Sequence, residues 1–239
     1  MKYLLVPIST IGCGKSTVFR ILKELYPTWA HVENDDCGSK KEFYNKISHS
    51  LENHQVVLLD RNNHLALHRK QIVELYKKPD VTLIALVFVR ADSDRKHLWN
   101  TTFKRVEKRG DNHQSIAGSS QKGLAKAIMS KFLKDFCPFD PTSEADAAFD
   151  YYVDLELGDN SSMANAGHVI KFLLHTLNPE LVPLIPDPDT LRRLYEKSLG
   201  QEKSITPRQQ KMKREKNRES HPASPKTLSK RRNRANETA

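Results

Sequence analysis

The sequence predicts an α/β fold, a doubly wound parallel sheet with helices on both faces, followed by a basic, disordered C-terminal tail. Three observations carry this. Short apolar runs alternate with segments of helical periodicity; the first run empties into a glycine-bearing loop that opens a helix; and the composition changes abruptly at Gln201. Strands that are apolar along their whole length belong to sheets covered on both sides, and their alternation with helices marks βαβ units.

The elements follow in order. Residues 3–7 form an apolar strand, and residues 9–16 a loop. Residues 17–25 place Val18, Ile21, Leu22 and Leu25 at helical spacing. Residues 30–33 make a short strand ahead of Asn34-Asp35-Asp36, and Phe43, Ile47 and Leu51 mark a second helix. Residues 56–59 are a buried strand closed by Asp60, and residues 65–76 a third helix. Residues 82–89, nearly all β-branched or apolar, are the strongest strand; a polar, arginine-bearing helix at 93–108 follows. Leu124, Ile128, Phe132 and Phe136 recur at four-residue steps across 122–136. A last strand is expected at 151–155 and a helix at 169–177. Pro179, Pro183, Pro186 and Pro188 then break the pattern before a short helix at 190–199. No internal repeat is visible.

Charge divides the chain. Residues 201–239 carry twelve Lys or Arg against four acids, whereas residues 1–200 are close to balanced. The tail's large apolar residues are Ile205, Met212 and Leu228, too few to offset the entropy of ordering it, so disorder is expected there. Residues 1–200 are read as one domain and 201–239 as a basic tail. No apolar run approaches the ~18–20 residues that span a bilayer. Cys13, Cys37 and Cys137 form no CxxC pair, which points away from a disulfide framework or zinc site and toward a reducing, cytoplasmic or nuclear setting.

Strand, Ser9-Thr10-Ile11-Gly12-Cys13-Gly14-Lys15-Ser16, helix is the order that a phosphate-binding P-loop requires. Backbone N–H groups of Gly12, Cys13, Gly14, Lys15, Ser16 and Thr17 would wrap phosphate oxygens. Lys15 would reach the β- and γ-phosphates, and the Ser16 hydroxyl would ligate Mg²⁺. Ser9 stands where the pattern has glycine. Cys13 reads as a small filler, since no base accompanies it. A P-loop implies a nucleotide without saying what becomes of it.

Ligands of doubly wound sheets sit beyond the carboxyl ends of the strands, and two such ends carry acids. Asp35 is the candidate general base for an acceptor hydroxyl, with Asp36 solvated. Asp60 serves either a metal-bound water or the acceptor, with Arg61 on an acceptor phosphate. The competing reading makes these Asn-Asp clusters turn and cap residues. Arg105 and Arg109, one helical turn apart, fit a lid whose arginines neutralise charge on a transferring phosphoryl group; a solvated basic face is the alternative. The Gly110-Asp111-Asn112-His113-Gln114 segment is rich in hydrogen-bonding groups. His64 and His68 are i,i+4 but lack an evident third metal ligand.

Four segments in one order resemble the kinase domain of fungal tRNA ligase: residues 6–17, His31-Val32-Glu33-Asn34-Asp35, Asp60-Arg61-Asn62-Asn63-His64, and residues 105–114. They cover residues 1–157, and that family also lacks the first P-loop glycine. The resemblance implies a P-loop phosphotransferase, a polynucleotide 5′-hydroxyl kinase that moves the γ-phosphate of GTP, or of ATP, to the 5′-OH of a cleaved tRNA exon. It implies Lys15 and Ser16 on phosphate and Mg²⁺, Asp35 as general base, Arg109 or Arg105 on the lid, and residues 110–114 in a guanine-recognising region. No Lys-x-Asp-Gly motif is present, and the one His-x-Ser/Thr match is His113-Gln114-Ser115. The expectation is therefore phosphorylation of an RNA end without sealing, by either a free-standing kinase or a split or truncated piece whose ligase and cyclic phosphodiesterase partners lie on other chains. The tail would raise the RNA on-rate, or Lys230-Arg231-Arg232-Asn233-Arg234 would serve as a nuclear address. Two rival readings stay open: a small-metabolite P-loop kinase, against which the basic tail weighs, and a non-catalytic nucleotide- or RNA-binding scaffold.

Overall fold

The computed structural model describes residues 1–113 and 116–200. Gln114 and the whole basic tail, with the disorder and nuclear address expected of it, lie outside the described residues.

Five parallel strands, β1 (Lys2–Ile8), β2 (Ala30–Glu33), β3 (Val56–Asp60), β4 (Val81–Val87) and β5 (Tyr151–Asp154), form one sheet in the order β2-β3-β1-β4-β5. Tyr3 pairs with Val56 on one side of β1 and with Thr82 on the other, so all strands end on one rim. From β1 the chain crosses to β2 at one edge, and after β3 it crosses to β4 on the opposite flank. That reversal opens a crevice at the carboxyl end of β1, the expected place for a ligand.

Alternation along β1 builds both cores. Tyr3, Leu5 and Ile8 pack beneath α1 (Lys15–Leu25) and α6 (Ser161–Phe172). Leu4 and Val6 pack on the other face, beneath α2 (Lys40–Asn53) and α3 (Ala66–Tyr76). β1 is apolar from Tyr3 to Ile8 because both of its faces are covered. Ser39 caps α2, its hydroxyl accepting from the Glu42 N–H at 3.1 Å, while the Glu42 carboxylate accepts from the Gly38 N–H. Two further helices, α4 (Arg95–Arg109) and α5 (Lys122–Lys134), pair over a small core of Ile11, Val106, Ile116, Ala125 and Met129, with Leu98 and Leu133 joining the core of the sheet.

The expected elements are present, with one large difference. The helix anticipated at 169–177 begins eight residues earlier as α6, and a π turn over Leu173–Leu177 carries it on. The first two turns of α6 bury Ser161, Ser162, Asn165 and Ala166. Small and polar side chains there allow close approach but leave no apolar periodicity to read. A final helix, α7 (Pro188–Gly200), packs against α1. No described helix is long and apolar enough to cross a membrane.

Candidate active site

The loop between β1 and α1 is held in a cradle. Gly12 (φ +86°) and Gly14 (φ +97°) adopt left-handed backbone conformations, and both lie against neighbours. A Cβ on Gly12 would stand 2.6 Å from the Thr102 carbonyl of α4, and one on Gly14 2.3 Å from Ser162 Oγ of α6. Ser9, by contrast, needs no positive φ. Its N–H donates to the Asn62 carbonyl at 2.9 Å and its hydroxyl to Asn62 Oδ1 at 3.2 Å. Asn63 Nδ2 adds a bond to the Pro7 carbonyl at 3.0 Å, so the Asn62-Asn63 pair stitches the end of β3 to the end of β1.

Lys15, Ser16 and Asp60 converge at the head of this loop. Lys15 Nζ donates to Asp60 Oδ1 at 2.7 Å and to Ser16 Oγ at 3.0 Å, and Ser16 Oγ donates to Asp60 Oδ1 at 3.1 Å. The other Asp60 oxygen is bonded to His31 Nε2 at 2.9 Å. Burial alone would push the Asp60 carboxyl up, but the Lys15 ammonium and the His31 bond outweigh it and hold the carboxyl far below its ordinary range. Burial likewise pulls Lys15 down, and the adjacent Asp60 reverses it to a net upward shift. Both groups stay charged at neutral pH. Of the two readings open for Asp60, the geometry favours the phosphate and metal side, because Oδ1 is engaged by Lys15 and Ser16 and the side chain is 2% exposed. Ser16 and Asp60 offer hard oxygen donors side by side, the donor set that Mg²⁺ takes, so the residues fit that ion. Cys13 is buried and its thiol is pushed up, mainly by that burial, which leaves it inert.

Asp35 stands on a 3₁₀ turn, Asn34–Asp36, immediately beyond β2 and on the same rim. It is half-buried while Asp36 is exposed. Its carboxyl acts electrostatically on both Lys15 and Arg109, and His113 Nε2 approaches it to 3.9 Å. The two arginines expected on a lid are not equivalent. Arg105 donates to the Cys13 carbonyl at 2.9 Å, to the Gly158 carbonyl and to Ser161 Oγ at 2.9 Å, clamping the phosphate loop to the start of α6. Arg109 is the one beside Asp35, and its Nε and Nη2 are buried with no hydrogen-bond partner among the described residues. Burial, with the neighbouring Arg20, pulls Arg109 down to about 10. Two buried guanidinium N–H-bearing nitrogens without a hydrogen-bond acceptor among the described residues are available to an anion.

Arg61 points elsewhere, donating to the Tyr44 hydroxyl of α2 at 2.9 Å, so the structure separates it from Asp60. In the segment after α4, Asp111 caps the Ser119 and Ser120 N–H groups. His64 stacks on Phe132 at 4.2 Å and faces His68 at 5.3 Å. Burial and the Arg61 charge lower both histidines to about 4, and among the described residues no third metal ligand joins them. Sequence reasoning gave His31 no role of its own: it orients Asp60 from a strand position 29 residues away, a relation that only strand pairing reveals. It also missed Arg69, fully buried, whose Nε and Nη2 bind Asp146 at 2.5 and 2.8 Å and fasten the segment before β5 to α3.

The tRNA ligase kinase domain family matches residues 4–158. The tRNA ligase of Candida albicans is 33% identical over 216 residues, which cover 83% of this chain and 26% of that protein. tRNA ligase 1 of Schizosaccharomyces pombe is 38% identical over 196 residues, covering 78% and 24%. The chain thus spans about a quarter of the length of the curated relatives it matches. The crystal structure of a fungal RNA kinase superposes with a TM-score of 0.78 at 32% identity, covering 84% of this chain and 98% of that one. Phosphate loop, rim carboxylates and lid arginines occur in one fold and one order, and the chain belongs to the tRNA ligase kinase domain family.

Proposed function

We propose that this protein is an RNA 5′-hydroxyl kinase that transfers the γ-phosphate of GTP or ATP to the 5′-OH end of a cleaved tRNA exon. The observation that carries the reading is Arg109, whose buried Nε and Nη2 have no hydrogen-bond partner among the described residues, within the electrostatic reach of Asp35, which also acts on Lys15. A transferring phosphoryl group has cations on either hand there, and a carboxylate faces its acceptor side.

Asp35 accepts the proton of the 5′-hydroxyl as that oxygen bonds to the γ-phosphorus. The bond from phosphorus to the β–γ bridging oxygen breaks, and the nucleoside diphosphate leaves. Lys15 and the loop N–H groups hold the leaving phosphates, while Arg109 stabilises charge on the group in flight. Arg105 keeps the loop in register from behind. Ser16 and Asp60 are the residues that would hold Mg²⁺, which would supply neutralisation of phosphate charge. The kinase family and the RNA kinase likeness support an RNA acceptor over a small metabolite. The intact Lys15–Asp60–Ser16 contacts weigh against an idle scaffold. Sealing and cyclic phosphate opening are assigned to other polypeptide segments, and the setting to cytoplasm or nucleus. Gly110–Asn112 and His113 are proposed to border the nucleobase.

Purified protein incubated with a 5′-OH oligoribonucleotide and γ-labelled GTP or ATP, side by side, tests the reading. Label is expected on the RNA 5′ end with at least one donor. Hydrolysis of both donors without label transfer would refute an RNA kinase.

A further inference from the structure

We propose that the outer face of α4 and α5 is a docking track for the phosphate backbone of the acceptor RNA, downstream of the nucleotide being phosphorylated. This rests on the RNA kinase reading and assigns a surface that the reaction itself does not require.

Charge on the folded body is partitioned. α4 and α5 together contain ten Lys or Arg and one acid, Glu107. The other residues of 1–200 contain seventeen basic and twenty-four acidic side chains. The positive field of the body is thus concentrated on one helix pair against an acidic remainder. Lys96, Lys104, Lys108, Lys122, Lys126 and Lys134 are all exposed. Among the described residues Lys96, Lys108 and Lys134 have no ion-pair partner, and Lys104 meets Asp159 only at 3.9 Å. Lys122 pairs with Glu107, but the other lysines held in a stripe on these helices repel one another, and a bound polyanion relieves that repulsion and releases its own counterions.

Position and composition both point to a nucleic-acid strand. Lys104 and Lys108 immediately precede Arg105 and Arg109, a quarter turn round the helix from the two arginines at the phosphate loop. The stripe therefore begins where the reactive 5′ end must lie. Aromatic rings are set into it: Trp99 and Phe103 stack in parallel at 5.6 Å, and Lys126 Nζ lies 5.1 Å from the Phe103 ring centre. Half-buried rings bordered by lysines are the usual platform for unpaired bases next to a backbone. A mononucleotide or small acceptor would touch none of the lysines beyond the rim.

The test is the triple variant Lys104→Ala/Lys108→Ala/Lys126→Ala in the full chain, all three positions being exposed. Steady-state kinetics would compare a 5′-OH oligoribonucleotide of about twenty nucleotides with a 5′-OH dinucleotide. The variant is expected to raise KM for the longer RNA about tenfold and to reduce the slope of log KM against log salt by about 2. kcat, the KM for the nucleotide donor and the KM for the dinucleotide should stay as in the parent. An unchanged KM and salt slope for the longer RNA would overturn the proposal and leave the face to another partner. An equal loss on both acceptors would overturn it by placing the effect inside the reaction site. Failure of the parent to phosphorylate either RNA would instead remove the RNA kinase reading on which the track depends.

Discussion

Gly12 and Gly14 show how single residues decide what the site can hold. Each has a left-handed φ and each touches a helix at a distance that no Cβ tolerates. Gly14→Ala should therefore lose nucleotide affinity at least about tenfold while the far-ultraviolet circular dichroism stays native, because strain there distorts the loop and not the sheet. Equilibrium binding of a fluorescent nucleotide reads this directly, and parental affinity would refute the cradle. At this scale the sequence was most informative where function is local. Lys15 and Ser16 are named by their spacing to Gly12 and Gly14, and Asp60 by its place at a strand end. Arg105 and Arg109 share a helix face, so spacing alone had no means of ranking them. What separates them is the opposing surface, backbone carbonyls for one and Asp35 for the other. His31 was illegible because its partner lies across a strand pairing.

Among elements, the sheet was legible because each strand is an apolar run between breakers; β1 is one residue longer at each end than its apolar pattern, and β4 starts one residue earlier and ends two residues sooner. α6 was not, since its first turns press against the phosphate loop with Ser161, Ser162 and Ala166. Apolar periodicity detects helices that bury large side chains and passes over those that bury small ones. The segment leading to β5 was equally silent about what holds it. Its anchor is the pairing of Arg69 on α3 with Asp146, both essentially fully buried, in which Arg69 also donates to the Asn63, Cys137 and Pro138 carbonyls. Removing one partner leaves a buried charge uncompensated. Asp146→Asn should lower stability by about 3–5 kcal/mol in urea denaturation, with kcat largely preserved below the new midpoint. A change under about 1 kcal/mol would show that the pair is not an anchor.

At the scale of the whole molecule, two charge features set the response to conditions. Buried His64 and half-buried His68 are held neutral, with values near 4 against an ordinary 6.5. The unfolded chain binds protons at these sites as pH falls from about 6.5 and the folded chain does not, so stability falls across that window and recovers above it. Above about pH 5 most carboxylates contribute little, and unfolding should take up nearly two protons from these sites. His68→Gln should remove about one, read as a shallower slope of unfolding free energy against pH between 5 and 6.5; an unaltered slope would contradict the assignment. The second feature is the basic face of α4 and α5, which stands beside a rim where donor and acceptor chemistry meet. That meeting is the central claim, and Asp35→Ala tests it most directly. Under single-turnover conditions the variant should phosphorylate 5′-OH RNA about 10²–10⁴-fold more slowly while binding nucleotide within about twofold of the parent. A variant that transfers phosphate at the parental rate would contradict the account.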